Sequence, residues 1–257
     1  MELAQGADPM TRLRRTLTRL LAALLAALAL APSTIGTAGA VVNGRVAPDG
    51  VLQRDWYFYA QIELNGATWC GGSVISINSV LTAAHCVDGT VRADQLTVVL
   101  ESVLAPEGGE IRRDVAAIEI EPSWTGSTGI DLAILRLENE VDEIGLQSSP
   151  VPGNYVTPLA EGDRQAGDIA DVAGRGLTSR GGSASADVKE ARMEIVADAD
   201  CNVNPSLGNR QVCFQPHSDH DASGLTCNGD SGGPITTWNH ARQSFVLFAV
   251  VNMGNCT

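Results

Sequence analysis

The chain has 257 residues, a formal net charge of −13 and six cysteines. Surplus negative charge repels polyanions, so nucleic acid and anionic membrane surfaces are excluded as natural partners. The length suffices for one large domain or two tightly packed halves with a sizeable core.

Arg12, Arg14, Arg15 and Arg19 lead into an apolar run over 20–31, and a tail of small residues ends in Ala38-Gly39-Ala40. A basic head, a short apolar stretch and an Ala-x-Ala end read as a secretory signal peptide over 1–40. The run is 12 residues long, and a membrane span takes about 20. Arg14-Arg15 does not extend into a full twin-arginine pattern, so the general secretory route is expected. The mature chain would begin at Val41 as a secreted, extracellular protein with no membrane contact after cleavage. Its Ala-rich leader, running straight into Val41, suits bacterial export.

Beyond residue 40 the periodicity is that of strands. Ala60, Ile62 and Leu64 alternate with Gln61 and Glu63, Ile118 and Ile120 alternate with Glu119 and Glu121, and 98–100 is a short apolar run. Many short strands separated by turn residues predict an all-β sandwich or barrel. All six cysteines follow residue 40, an even number in an exported chain, which reads as disulfides of undetermined pairing. No CxxC spacing points to zinc.

Three stretches carry chemistry. Leu81-Thr82-Ala83-Ala84-His85-Cys86 puts a histidine after an apolar run and beside a cysteine. Asp131-Leu132-Ala133-Ile134-Leu135-Arg136-Leu137 puts a carboxylate at the head of an alternating strand. Cys227-Asn228-Gly229-Asp230-Ser231-Gly232-Gly233-Pro234 holds one serine among glycines. A serine hydroxyl is a weak nucleophile; it needs a rigid exposed turn, a base, and N–H groups aimed at the developing oxyanion. Glycine supplies the unusual backbone angles and the close approach. A merely structural Gly-rich turn would need no base elsewhere, and this chain supplies both a histidine and an aspartate.

These stretches, with Trp69-Cys70-Gly71-Gly72-Ser73 upstream, resemble the chymotrypsin/trypsin family of serine endopeptidases, in that family's order of His, Asp, Ser. The resemblance implies two six-stranded antiparallel β-barrels packed face to face, over 41–137 and 155–257, with 138–154 as the crossover. It implies Ser231 as nucleophile, His85 as base and then acid, Asp131 as the residue orienting the imidazole, and an oxyanion hole from the N–H groups of Gly229 and Ser231. It further implies disulfides Cys70–Cys86, Cys201–Cys213 and Cys227–Cys256, and an ion pair between the freed amino group of Val41 and Asp230. Polypeptide substrates, protein inhibitors, a monomeric state and no required cofactor follow from the same resemblance.

Departures from the pattern matter for substrate choice. Gly174-Arg175-Gly176 replaces the usual Gly-Trp-Gly, and Asn252-Met253-Gly254 replaces the usual Ser-Trp-Gly along the substrate. Leu225, two residues before Cys227, stands at the base of the primary pocket where trypsin-like enzymes carry Asp. Thr226 narrows the pocket and Gly254 is expected to leave its entrance open, which together predict small to medium apolar side chains before the scissile bond. Asp221 entering the pocket would restore basic specificity. The chain ends one residue after Cys256, short of the family's last strand and helix, so the second barrel is expected to be truncated. A catalytically impaired binding module is the alternative reading, resting on Asn252, Met253 and that short end. Glu101, Glu107 and Glu110 bracket a loop resembling the family's calcium loop, a weak calcium candidate beside the plainer reading of an acidic surface. His217, Asp219, His220 and Asp221 crowd one loop, which makes a poor metal site without ligands from elsewhere.

Overall fold

The computed structural model describes residues 41–48, 55–101, 110–141, 165–201, 210–218, 224–240 and 244–254. The segment 1–40, residues 142–154 of the expected crossover, Glu107, Asp219, His220, Asp221 and Cys256 lie outside them.

Among the described residues the regular structure is strand, broken only by short 3₁₀ turns. β2 (Tyr59–Leu64), β3 (Ala67–Ser76), β4 (Ser79–Thr82), β5 (Leu96–Glu101), β6 (Glu110–Ile120) and β7 (Ala133–Leu137) form a closed antiparallel barrel in the order β2-β3-β4-β7-β6-β5. Asn65 and Gly66 join β2 to β3 with φ of 52° and 79°. Two left-handed residues give the hairpin turn whose twist matches that of its strands. Ile62, Val74, Val80, Val98 and Leu135 fill the barrel with no exposed surface. Each such side chain contributes about 1.5–3 kcal/mol on burial.

The expected alternation fails at two places. Gln61, a polar residue of the alternating run, is buried, and its amide donates to the Cys70 carbonyl at 2.8 Å and accepts from the Tyr59 hydroxyl at 3.2 Å. A fully bonded amide is tolerated where a bare one is not. Ile120 is 37% exposed, although Ala133 opposite it on β7 is buried.

β1 (Arg45–Val46), β8 (Ile169–Gly174), β9 (Lys189–Val196), β10 (Cys213–Pro216), β11 (Pro234–Asn239) and β12 (Ser244–Val250) form a second antiparallel sheet. Its path is β1-β9-β8-β11-β12, with β10 also on β9. The fold is thus all-β, with a closed barrel followed by a second six-stranded sheet. One detail differs from expectation. β1 belongs by sequence to the first half but pairs with β9 in the second, Arg45 opposite Glu190 and Val46 opposite Lys189. Among the described residues the second sheet follows an open path, because β12 has only β11 beside it. Its smaller core gathers Val41, Val172, Ala191, Met193, Ile235 and Val251. β11 touches β3 and β2 touches β8, so the two sheets meet. Among the described residues no helix is long and apolar enough to cross a membrane.

Candidate active site

Strand register brings His85 and Asp131 together. β4 and β7 are antiparallel, with Thr82 opposite Ala133. The residues just after β4 and just before β7 therefore share one end of the barrel. His85 lies there on the 3₁₀ turn Ala84–Cys86, which the Cys70–Cys86 disulfide ties to β3. Asp131 Oδ1 accepts the His85 backbone N–H at 2.8 Å, and Oδ2 lies 2.7 Å from His85 Nδ1. A carboxylate can only accept, so Nδ1 carries the proton and Nε2 is left as the acceptor nitrogen. The Asp131 side chain is 7% exposed and that of His85 34%. The carboxylate is thus shielded while the imidazole is reachable.

Asn252 Nδ2 is a third donor to Asp131, on Oδ2. The sequence placed Asn252 along the substrate; the structure turns its amide to the aspartate. Met253 beside it is 83% exposed.

Ser231 reaches the same place through its backbone. Its carbonyl accepts the Gly71 N–H at 2.7 Å, and Gly71 packs so closely on Gly233 that a Cβ there would lie 2.8 Å from the Gly233 Cα. Gly232, at φ 80°, packs against Gly71, Thr82 and Ala83, just ahead of His85. Such contacts explain the glycines in both motifs: β3 and the serine loop touch backbone to backbone. Among the described residues no hydrogen bond joins the Ser231 hydroxyl to the imidazole, whose Nε2 lies 3.8 Å from Cys86 Sγ.

The loop before Ser231 is wound about Asp230. The Asp230 N–H donates to the Cys227 carbonyl and the Gly233 N–H to the Asp230 carbonyl, both at 3.0 Å. Gly229 takes φ 92°, which its lack of a Cβ permits. The N–H groups of Gly229 and Ser231 donate to no backbone acceptor among the described residues, whereas those of Asp230, Gly232 and Gly233 all do.

Asp230 has no exposed surface. Its carboxylate accepts from the backbone N–H groups of Gly176 and Cys227, each at 2.8 Å, and from that of Val41. Burial pushes this carboxyl up to about 6, against the pull of those three donors. Val41 is itself fully buried, with φ 50°. That left-handed conformation is unfavourable for a β-branched residue.

Around the expected pocket, Leu225 bridges Val42, its N–H donating to the Val42 carbonyl at 3.1 Å. Thr226 is buried. Gly254 is exposed, and a Cβ on it would strike the Thr226 carbonyl and come within 2.7 Å of its Oγ1. Only a glycine fits at this point. Trp69, whose role the sequence does not reveal, is 44% exposed and donates its indole N–H to the Cys86 carbonyl at 2.7 Å, adding an apolar surface beside the histidine turn.

Cys201 pairs with Cys213, and Cys227 is disulfide-bonded, while Cys256 lies outside the described residues. Among the described residues one group has metal-ligand types close together, Cys70, His85 and Cys86, and its two sulfurs are already bonded to each other. Glu110, from the calcium candidate, faces guanidinium groups: Arg112 at 3.1 Å and Arg175 at 4.0 Å. Neither Glu107 nor the Glu101 side chain is among what is described.

The family model described as Trypsin matches residues 41–257. Serine protease SP24D of Anopheles gambiae is 34% identical over 199 residues, 76% of this chain and 66% of that protein. Serine protease 56 of Mus musculus is 31% identical over 226 residues, 84% of this chain but 35% of that protein. Granzyme M of Homo sapiens is 31% identical over 223 residues, 82% of this chain and 79% of that protein. A family match spanning everything after residue 40, on a barrel that sets His85 against Asp131 beside the serine loop, means that this chain belongs to the trypsin family of serine proteases.

Proposed function

We propose that this protein is a secreted serine endopeptidase that cleaves polypeptides through an acyl-enzyme. The observation that carries the reading is the 2.7 Å contact of His85 Nδ1 with a shielded Asp131, which leaves Nε2 as base beside the Ser231 loop. Ser231 Oγ attacks the scissile carbonyl carbon while His85 Nε2 takes its proton. The carbonyl oxygen becomes an oxyanion held by the Gly229 and Ser231 N–H groups, which the loop leaves unused. Collapse expels the amine, protonated by the imidazolium, and leaves an ester on Ser231. Water, deprotonated by the same nitrogen, then releases the acid. No step requires a cofactor.

Maturation follows from Val41. Cutting after Ala40 turns its nitrogen into an ammonium already within reach of Asp230. A free terminus also has no φ, so the left-handed strain at Val41, of order 1–3 kcal/mol, disappears with the cut. Leu225 and the contact between Gly254 and Thr226 favour small apolar side chains before the scissile bond over Arg or Lys, whose buried charge would find no partner. The lack, among the described residues, of a hydrogen bond between the Ser231 hydroxyl and the imidazole favours the second reading, a catalytically impaired binding module.

Profiling the chain that begins at Val41 against a peptide library, beside its Ser231→Ala variant, tests the proposal. Cleavage after Ala, Val or similar residues that vanishes in the variant is the expected result. Dominant cleavage after Arg or Lys would sink the specificity assignment, and no cleavage at all would favour the binding module.

A further inference from the structure

Arg175 stands between two glycines that both press on the serine loop. A Cβ on Gly174 would collide with Asp230 Oδ1, and one on Gly176 would lie 2.6 Å from the Asn228 carbonyl and 2.6 Å from the Asp230 nitrogen. The Gly176 N–H donates to Asp230 Oδ1 at 2.8 Å, and the Leu177 N–H to the Asn228 carbonyl at 2.7 Å. One edge of this short segment therefore grips Asn228 and Asp230, on either side of Gly229.

The other edge is held by the arginine. Its Nη2 donates to the Ala186 carbonyl, its Nε lies 3.5 Å from the Ser185 carbonyl, and its Nη1 lies 4.0 Å from Glu110 Oε1 on β6. The Ser185 N–H returns bonds of 3.2 Å to the carbonyls of both Arg175 and Gly176, and Leu177 bridges Ala184. The Arg175 side chain is 15% exposed and that of Glu110 46%. At that distance and exposure the ion pair contributes little, so the bonds to the two carbonyls dominate. They need a planar fork of donors, which lysine lacks. The flanking glycines add no side-chain restraint of their own.

We propose that Arg175 is a positioning residue for the oxyanion hole: its guanidinium braces the segment of Gly174 to Leu177 against Ser185 and Ala186, and that segment fixes the Gly229 N–H. The inference rests on the reading of Gly229 and Ser231 as oxyanion donors. Arg175 touches neither the nucleophile nor the imidazole. Its loss would misdirect a donor used mainly in the transition state, which lowers kcat and leaves KM nearly unchanged.

The test compares wild type with Arg175→Met, Arg175→Lys and Glu110→Gln, all beginning at Val41. Each is assayed with one chromogenic peptide carrying alanine before the scissile bond and with the matching peptide aldehyde, whose adduct bears the oxyanion. Arg175→Met should lose about 10-fold in kcat, as expected for one bond from a charged donor. Aldehyde affinity should fall in parallel at nearly constant KM. Arg175→Lys should recover less than half of the loss, and Glu110→Gln should change kcat by less than about 2-fold. Wild-type kcat and aldehyde affinity in Arg175→Met, or a loss carried by KM alone, would overturn the inference while leaving the protease reading intact. Should the Met variant not fold, undiminished kcat in Arg175→Lys overturns it equally. A wild type that neither cleaves nor binds the aldehyde would instead overturn the reading of the site on which it rests.

Discussion

The backbone nitrogen of Val41 is hydrogen-bonded to the carboxylate of Asp230, and both residues are fully buried. While the chain continues to Ala40 that nitrogen is an amide, and Asp230 has no full positive charge among its named partners. Its folded-state pKa of about 6 lies above the unfolded value of 3.8. The native state therefore holds the extra proton between those values, and stability is lost as pH rises through the window, by about 3 kcal/mol in total. A free ammonium at Val41 offsets that loss. Denaturant unfolding from pH 4 to 7, with Ser231→Ala to prevent self-cleavage, should show the decline in a chain carrying one extra residue before Val41. The chain starting at Val41 should lack it. Parallel curves for the two would contradict the pairing.

Asn252 should matter through Asp131. Asn252→Leu leaves a shielded carboxylate short of one of its three named donors, so kcat/KM should fall by about 10-fold. Asn252→Ser, which retains a donor, should stay closer to wild type. Steady-state kinetics with equal activity in Asn252→Leu and wild type would refute this role.

Gly71→Ala should be severe for a residue so small. The new Cβ would meet the Gly233 Cα at 2.8 Å and its nitrogen at 3.0 Å, and backbone cannot swing aside as a side chain can. A cost of about 1–3 kcal/mol in stability is expected, with activity falling further because the serine loop is what must move. Thermal unfolding and kcat/KM measure the two effects separately.

The glycine doublet of β3 shows how unevenly the sequence reveals the site. Its motif was readable, and with it the roles expected of His85, Asp131 and Ser231, because those residues need fixed chemical neighbours along the chain. The alternating runs at 60–64 and 118–120 were readable as strands for the same local reason. What the sequence withheld depends on distant segments meeting: Gly71 on Gly233, the Asn252 amide on Asp131, the two-residue β1 on β9, and Gly254 on Thr226. The burial of Gln61 belongs with these, because its pairing with the Cys70 carbonyl has no signature in its own strand.

If the proposed pocket is right, Thr226, on which Gly254 packs, narrows it. Thr226→Gly removes the hydroxyl and methyl from that wall. It should raise the rate for Phe relative to Ala before the scissile bond by about 10-fold, the scale of discrimination available to an apolar pocket. Competition between paired peptide substrates measures the ratio, and an unchanged ratio would mean that Thr226 does not line the pocket.

The central claim, that Ser231 is an activated nucleophile, is tested most directly by titrating the chain that begins at Val41 with a fluorophosphonate and mapping the adduct by mass spectrometry. The account predicts one label per folded molecule, on Ser231, and none in Ser231→Ala. Folded protein that takes up no label, or a label on another residue, would contradict it.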